Sequence, residues 1–196
     1  MTVPGGVYEI PPGSVNVSSG QPTERTQQVS NLSESHQRLI DDSGISAEVA
    51  TERGYKTVTV KKDLERLGFA DKQRIVPALL VPVHGVDGSV VTYQTRPDTP
   101  RVNPRTGKPI KYETPAGSTM ALDVPVRVRP VLADPLVPLI VTEGARKADA
   151  AASAGLAAIA LLGVWIFRGK NSRGGKTALP DWEYRPQRPR RVRGVR

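Results

Sequence analysis

Leu139-Ile140-Val141-Thr142-Glu143-Gly144-Ala145-Arg146-Lys147-Ala148-Asp149-Ala150 is apolar as far as Thr142, turns polar at Glu143-Gly144 and continues alanine-rich, before Gly155 and a second apolar run from Leu156 to Gly163. That order reads as strand, helix, strand. Val137 to Thr142, with Pro135 before it and Pro138 near its start, is a short β-branched run, too short for a helix, and the expectation is a strand buried on both faces. Ala148, Ala150, Ala151, Ala152 and Ala154 favour a helix from about Ala145 to Ala154, small enough to lie close against a sheet, with Gly155 as its stop. Parallel strands joined in this way cross over right-handed, so one βαβ unit is the economical solution. Glu143 then stands at the carboxyl end of a buried strand, the edge of an open α/β sheet where ligands collect.

Two readings of Glu143 follow from its neighbours alone. Its carboxylate offsets the positive end of the following helix, an effect of about 0.3 to 1 kcal/mol. Alternatively it is presented to a divalent metal or a transferred proton, with Gly144 leaving room for a backbone or phosphate to approach. The local sequence leaves both open.

Upstream of this unit the chain divides by composition. Residues 1–31, with Pro4, Pro11, Pro12, Pro22 and many Ser, Gly and Gln, read as a disordered leader. Residues 32–70 read as a small helical unit. Ser33 or Ser35 caps a helix through Leu39-Ile40 ending near Gly44, Ser46 caps another ending at Gly54, and Lys62 to Leu67 forms a third closed by Gly68. Tyr55 and Phe69 are its apolar anchors, and it carries no catalytic signal. Residues 71–134 read as β-rich. Ile75 to Val83 and Ser89 to Thr95 flank His84-Gly85-Val86-Asp87-Gly88, whose Asp-Gly is a hairpin signal because the turn needs positive φ. Arg96 follows at the strand end, and the loop from Pro97 to Pro109 carries Arg101, Arg105 and Lys108 before a short strand, Ile110 to Thr114. Basic groups near one sheet edge suit a phosphate backbone, Arg by planar two-pronged contacts and Lys as a point charge; an ordinary solvated loop has the same composition.

Together these residues resemble a known family. Thr142-Glu143-Gly144 with Lys147 and Ala148-Asp149-Ala150 is similar to the first motif of the TOPRIM domain, the metal-binding α/β module of primases, topoisomerases and some nucleases, in the variant found in phage and plasmid primases. Arg74-Ile75, then Pro77 to Val83, Gly88, Arg96 and Lys111-Tyr112-Glu113-Thr114-Pro115, is similar to the segment preceding TOPRIM in bacterial primase cores. Over about Ser35 to Glu183 the chain resembles the family catalogued as domain of unknown function 3854, associated with mobile-element primases.

The resemblance implies a general acid or base role and a metal contact for Glu143, template or nucleotide contacts for Arg96 and Lys111, and nucleic-acid contacts for Arg101, Arg105, Lys108 and Lys147. It implies Mg²⁺ in a complete family member, with single-stranded DNA template and nucleotides as partners, and a helicase or a missing C-terminal half as a further one. The family's Asp-x-Asp pair has no counterpart: after Glu143 the acidic residues are Asp149, Asp181 and Glu183. Hard magnesium needs several oxygen ligands, so one glutamate is an incomplete site.

Residues 135–182 therefore read as a partial TOPRIM-like βαβ and 183–196 as a basic disordered tail, in which six arginines face one glutamate. The tail is either a phosphate-binding arm or the out-of-frame end of an interrupted gene. A net charge of +9 suits a polyanionic partner, but about half of the excess lies in this tail. Aromatic residues make up 5% of the chain, so base stacking is left to a few rings such as Tyr93 or Tyr112. The absence of cysteine removes disulfides and thiolate metal sites, and two histidines cannot build a histidine-rich zinc site. No apolar run reaches membrane-spanning length and no signal-like core opens the chain, so a cytoplasmic protein is expected.

Three features are set aside. Gly169 to Thr177 ends in Gly-Lys-Thr, but five residues rather than four separate Gly169 from Gly175, the wrong spacing for a phosphate loop. His84 reads as a turn residue, and Trp165 and Phe167 as packing at the end of the α/β layer. The expected architecture is α+β: a helical lead-in, an antiparallel β region and the first βαβ half of a TOPRIM-like domain. The expected function is that of a DNA-primase-like replication protein of a mobile element, catalytically incomplete for want of the Asp-x-Asp motif. The alternatives are a non-catalytic nucleic-acid-binding module and a fragment of a TOPRIM nuclease.

Overall fold

A computed structural model describes residues 31–162, 168–170 and 175–183; the expectations for the leader, for Trp165 and Phe167, and for the arginine-rich tail fall outside them. Helix α1 (Glu34–Asp41) begins where Ser33 Oγ accepts from His36 N, and α2 (Ala47–Arg53) where Ser46 Oγ accepts from Val49 N. Each cap satisfies a backbone donor that the first turn cannot. Glycine closes α2 at Gly54, where φ is +77°. After strand β1 (Lys56–Val58), helix α3 (Lys61–Arg66) leads through Phe69 towards the β region.

Strands β2 (Ala78–His84) and β3 (Val90–Pro97) form with β1 an antiparallel sheet of order β1-β2-β3. Strand β2 serves two cores. Leu79 and Val81 pack against Ile40, Ile45, Val49 and Tyr55, while Leu80 points the other way into Val58, Leu64 and Phe69. Both faces being covered, every residue of β2 is buried, which explains why it reads as an unbroken apolar run and not as an alternation. Each fully buried Leu or Val contributes roughly 1.5–3 kcal/mol. The β2–β3 turn contains Asp87-Gly88, with Gly88 at φ +87°.

The βαβ unit is present. Strand β4 (Ile140–Glu143) pairs in parallel with β5 (Ala158–Leu161), Glu143 opposite Leu161, and helix α4 (Ala145–Ser153) crosses between them. Ala148 on α4 meets Ala158 and Ala160 on β5, the close helix-to-sheet approach that small side chains permit. A short segment joins this unit to the antiparallel sheet. Asp123 exchanges both backbone hydrogen bonds with Ala160, at 2.9 and 2.8 Å, and Val124 N donates to His84 O at 2.9 Å. Backbone hydrogen bonds therefore run without a break from β3 through β2, Asp123-Val124 and β5 to β4.

Several expectations need correction. The strand expected over Val137 to Thr142 begins at Ile140, and it is not buried on both faces: Ile140 and Val141 are 41% and 46% exposed. The physical reason is that β4 has a paired neighbour on one side only among the described residues. Ile110 to Thr114 forms no strand; Glu113 makes one isolated bridge to Thr95, and Pro115, two residues on, has no N–H with which to extend a ladder. His84 is not a turn residue but the buried last residue of β2. Strands β6 (Arg168–Lys170) and β7 (Lys176–Ala178) pair antiparallel, so the Gly-Lys-Thr sequence enters a strand, whereas a phosphate loop must open a helix. No described helix is long and apolar enough to cross a membrane. The architecture is the expected α+β, with an antiparallel sheet and a parallel βαβ unit.

Candidate nucleic-acid interface

Strand β3 ends on Arg96-Pro97, and Asp98 follows directly in a bend. The segment that bridges to Thr95 through Glu113 brings Lys111 beside them. Arg96, Asp98 and Lys111, walled by Pro97, Pro100 and Pro109, line a pocket of about 160 Å³. Neither Arg96 nor Lys111 makes an ion pair with a described residue. Two cationic donors with no ion-pair partner among the described residues, in a small recess that Asp98 also lines, form an arrangement suited to a phosphate group.

Asp98 is held from behind. Its Oδ1 lies 2.7 Å from His36 Nε2, and His36 Nδ1 lies 2.7 Å from Thr57 Oγ1, which accepts from Ser33 N at 2.7 Å. A carboxylate oxygen accepts, so the ring donates Nε2–H to Asp98, while Thr57 Oγ1, which also donates to Ser33 Oγ at 3.3 Å, holds the Nδ1 side of the ring. His36 is buried, 3% exposed, in α1 of the unit expected to carry no catalytic signal.

The other basic candidates are placed differently. Arg101 donates Nε and Nη2 to the buried Glu113, the latter at 3.0 Å, and Glu113 also accepts from Gln73 Nε2 at 3.1 Å. Its charge is therefore matched by Glu113, which ties the loop to the sheet, although the Arg101 side chain itself stays 32% exposed. Arg105 and Lys108 are exposed on a turn closed by Asn103 N to Lys108 O at 2.8 Å. Glu143 and Lys147 lie on the βαβ unit, both exposed, on either side of Gly144. Gly144 has φ +87°, a backbone conformation that by itself calls for glycine, and nothing of the described chain lies within 4 Å of where a Cβ would stand. Among the described residues no three His, Asp or Glu side chains come together to hold a metal. Glu143 alone does not fit the donor set that Mg²⁺ requires.

A buried charge network unanticipated from the sequence lies beneath the junction of the two sheets. Arg53, the last residue of α2, donates Nε to Asp149 Oδ2 at 2.9 Å, Nη2 to Asp149 Oδ1 at 2.6 Å and Nη1 to Pro82 O at 3.2 Å. The same Nη1 reaches Asp123 Oδ1, which also accepts from His84 N, and Tyr55 OH donates to Asp149 Oδ2 at 2.6 Å. Burial opposes the charge on Arg53, but Asp123 and Asp149 outweigh it and raise its pKa. Burial pushes Asp123 up against the pull of Arg53, and pushes the Tyr55 hydroxyl well up. A hint was available in Asp149, an acid in an alanine helix that otherwise packs on a sheet. Nothing local marks Arg53 or Asp123.

The sequence pattern of the family described as "Domain of unknown function (DUF3854)" matches residues 129–189, a narrower span than Ser35 to Glu183. Among solved structures, the chain is similar to the Aquifex aeolicus primase (zinc-binding and RNA polymerase domains) at a TM-score of 0.53 and 13% identity, covering 67% of this chain and 37% of that one. It is also similar to a DnaG primase catalytic domain bound to single-stranded DNA, at 0.48 and 16%, covering 72% and 50%. The RNA polymerase domain of Mycobacterium tuberculosis primase DnaG matches at 0.45 and 18%, covering 69% and 50%. The chain thus spans half or less of each of these structures, and the fold it shares is that of a primase core. No curated protein matches it.

Proposed function

We propose that this chain is a primase-core-like replication protein of a mobile element that binds nucleic acid through the Arg96/Lys111 pocket. The observation that carries the reading is the difference between Arg96 and Lys111, which make no ion pair with a described residue, and Arg101, which is neutralised by Glu113. Two support lines meet there. The fold is a primase core, and the resemblance to phage and plasmid primases implies phosphate contacts for those two residues. The resemblance gives Glu143 a role, but the sequence carries no Asp-x-Asp pair to go with it, and on that ground we read the chain as a binding protein that is catalytically incomplete. In a larger assembly that supplied further acidic ligands, Glu143 would stand at the strand end where they are needed.

The experiment is fluorescence anisotropy with a labelled single-stranded DNA. Binding that persists in EDTA, without primer synthesis in Mg²⁺ or Mn²⁺ with nucleotides, supports a binding module. Arg96→Ala combined with Lys111→Ala should weaken it at least about tenfold. Binding unchanged by that double substitution but abolished by deleting residues 184–196 would contradict the pocket assignment.

A further inference from the structure

We propose that Asp98, positioned by His36, makes the Arg96/Lys111 pocket select a ribose carrying a 2′-hydroxyl beside a phosphate over the deoxyribose backbone. The inference rests on reading that pocket as a phosphate site. A recess built for phosphate alone has no use for a carboxylate, because the anion weakens binding of another anion. Asp98 nevertheless lines it together with the two cations. A ligand that satisfies all three groups presents acceptor oxygens to Arg96 and Lys111 and a hydrogen-bond donor to Asp98. The 2′-hydroxyl of a ribonucleotide is such a donor, next to its phosphate, and a hydrogen bond to an ionised acceptor is among the stronger kinds. Deoxyribose offers only C–H there, and the carboxylate is desolvated without a partner.

The arrangement around Asp98 suits this role. One oxygen is committed to His36, whose two ring nitrogens are both engaged, and the Asp98 side chain remains 40% exposed. Its backbone is fixed as well, Asp98 N donating to Pro77 O at 3.1 Å. The remaining oxygen makes no hydrogen bond to a described residue and stays available to the pocket. His36 acts only through Asp98 and is a positioning residue; Asp98 is the group that meets the ligand.

The test compares a single-stranded RNA with the DNA of the same sequence, measured by anisotropy on the full chain, with ATP and dATP as competitors to separate a strand from a free nucleotide. Wild type should prefer the ribose form roughly tenfold, the worth of one such hydrogen bond. Asp98→Asn should remove the preference by strengthening DNA binding, and His36→Ala should reduce it. His36→Gln, which keeps a donor towards Asp98, should retain part of it. Thermal midpoints taken in parallel show whether each variant is folded, and Asp98→Asn, a near-isosteric change at a partly exposed site, keeps the test decisive if the His36 variants are not. Equal affinities for RNA and DNA in wild type, or an unaltered ratio in Asp98→Asn, would overturn the inference. If Arg96→Ala/Lys111→Ala leaves both affinities unchanged, the phosphate reading has failed. If that double variant weakens both while Asp98→Asn leaves their ratio alone, only the sugar selectivity has failed.

Discussion

Arg53 and Asp149 form a two-pronged ion pair with no access to solvent, Nε to Oδ2 at 2.9 Å and Nη2 to Oδ1 at 2.6 Å. The pair ties the last turn of α2 to the middle of α4, the helix that starts immediately after Glu143-Gly144. Through Asp123 the same guanidinium also grips the segment that joins the two sheets. Removing one partner of a buried pair strands the other, at a cost of about 3–5 kcal/mol. Arg53→Met should therefore lower unfolding stability by that amount in urea titrations. Adding Asp149→Asn and Asp123→Asn to Arg53→Met should restore part of it, since the stranded charges are gone; no restoration would show that the carboxylates are not paired with Arg53.

Gly88 is held by backbone conformation and by a neighbour. Its φ is +87°, and a Cβ there would stand 1.4 Å from Arg129 Nη1, which donates to Asp87 O at 3.2 Å. Gly88→Ala should cost about 1–2 kcal/mol for the positive φ, with a smaller addition because the flexible guanidinium must move. In an Arg129→Ala background only the conformational part should remain. Thermal denaturation of the four proteins measures both parts, and equal costs in the two backgrounds would mean that Arg129 does not lie over the turn.

His84 sets a pH dependence. Burial, and then the nearby Arg53, lower its pKa from the ordinary 6.5. The unfolded chain then takes up the proton before the folded one does as the pH falls. Stability present above pH 6.5 is lost as the pH drops through the window below that value. Chemical denaturation at a series of pH values should show this loss in wild type and not in His84→Gln. The difference between the two curves isolates the imidazole from the carboxylates.

What the sequence revealed follows the range of the interactions. The βαβ unit was legible because its signals are local: an apolar run, an alanine helix and Gly155, which does take φ +78°. The Ser33 and Ser46 caps and the Asp87-Gly88 turn were legible for the same reason. The exposure of Ile140 and Val141 was not, because burial depends on which strands flank β4 and not on its own residues. The pocket was half legible. Arg96 and Lys111 came from resemblance, but Asp98 and His36 are brought together from 62 positions apart by the packing of α1 on the sheet. Likewise Arg101 looked like its neighbours until the fold placed Glu113 against it, and Arg53 reaches Asp149 across 96 positions.

The salt dependence of single-stranded DNA binding tests the central assignment most directly. Each phosphate contact on a single strand adds about 0.7 to the slope of log K against log salt. Arg96→Ala with Lys111→Ala should therefore lower the slope by about 1.4, while Arg101→Ala, whose charge is already matched by Glu113, should leave it where it was. A slope untouched by the double substitution, or reduced as much by Arg101→Ala, would contradict a phosphate site at the end of β3.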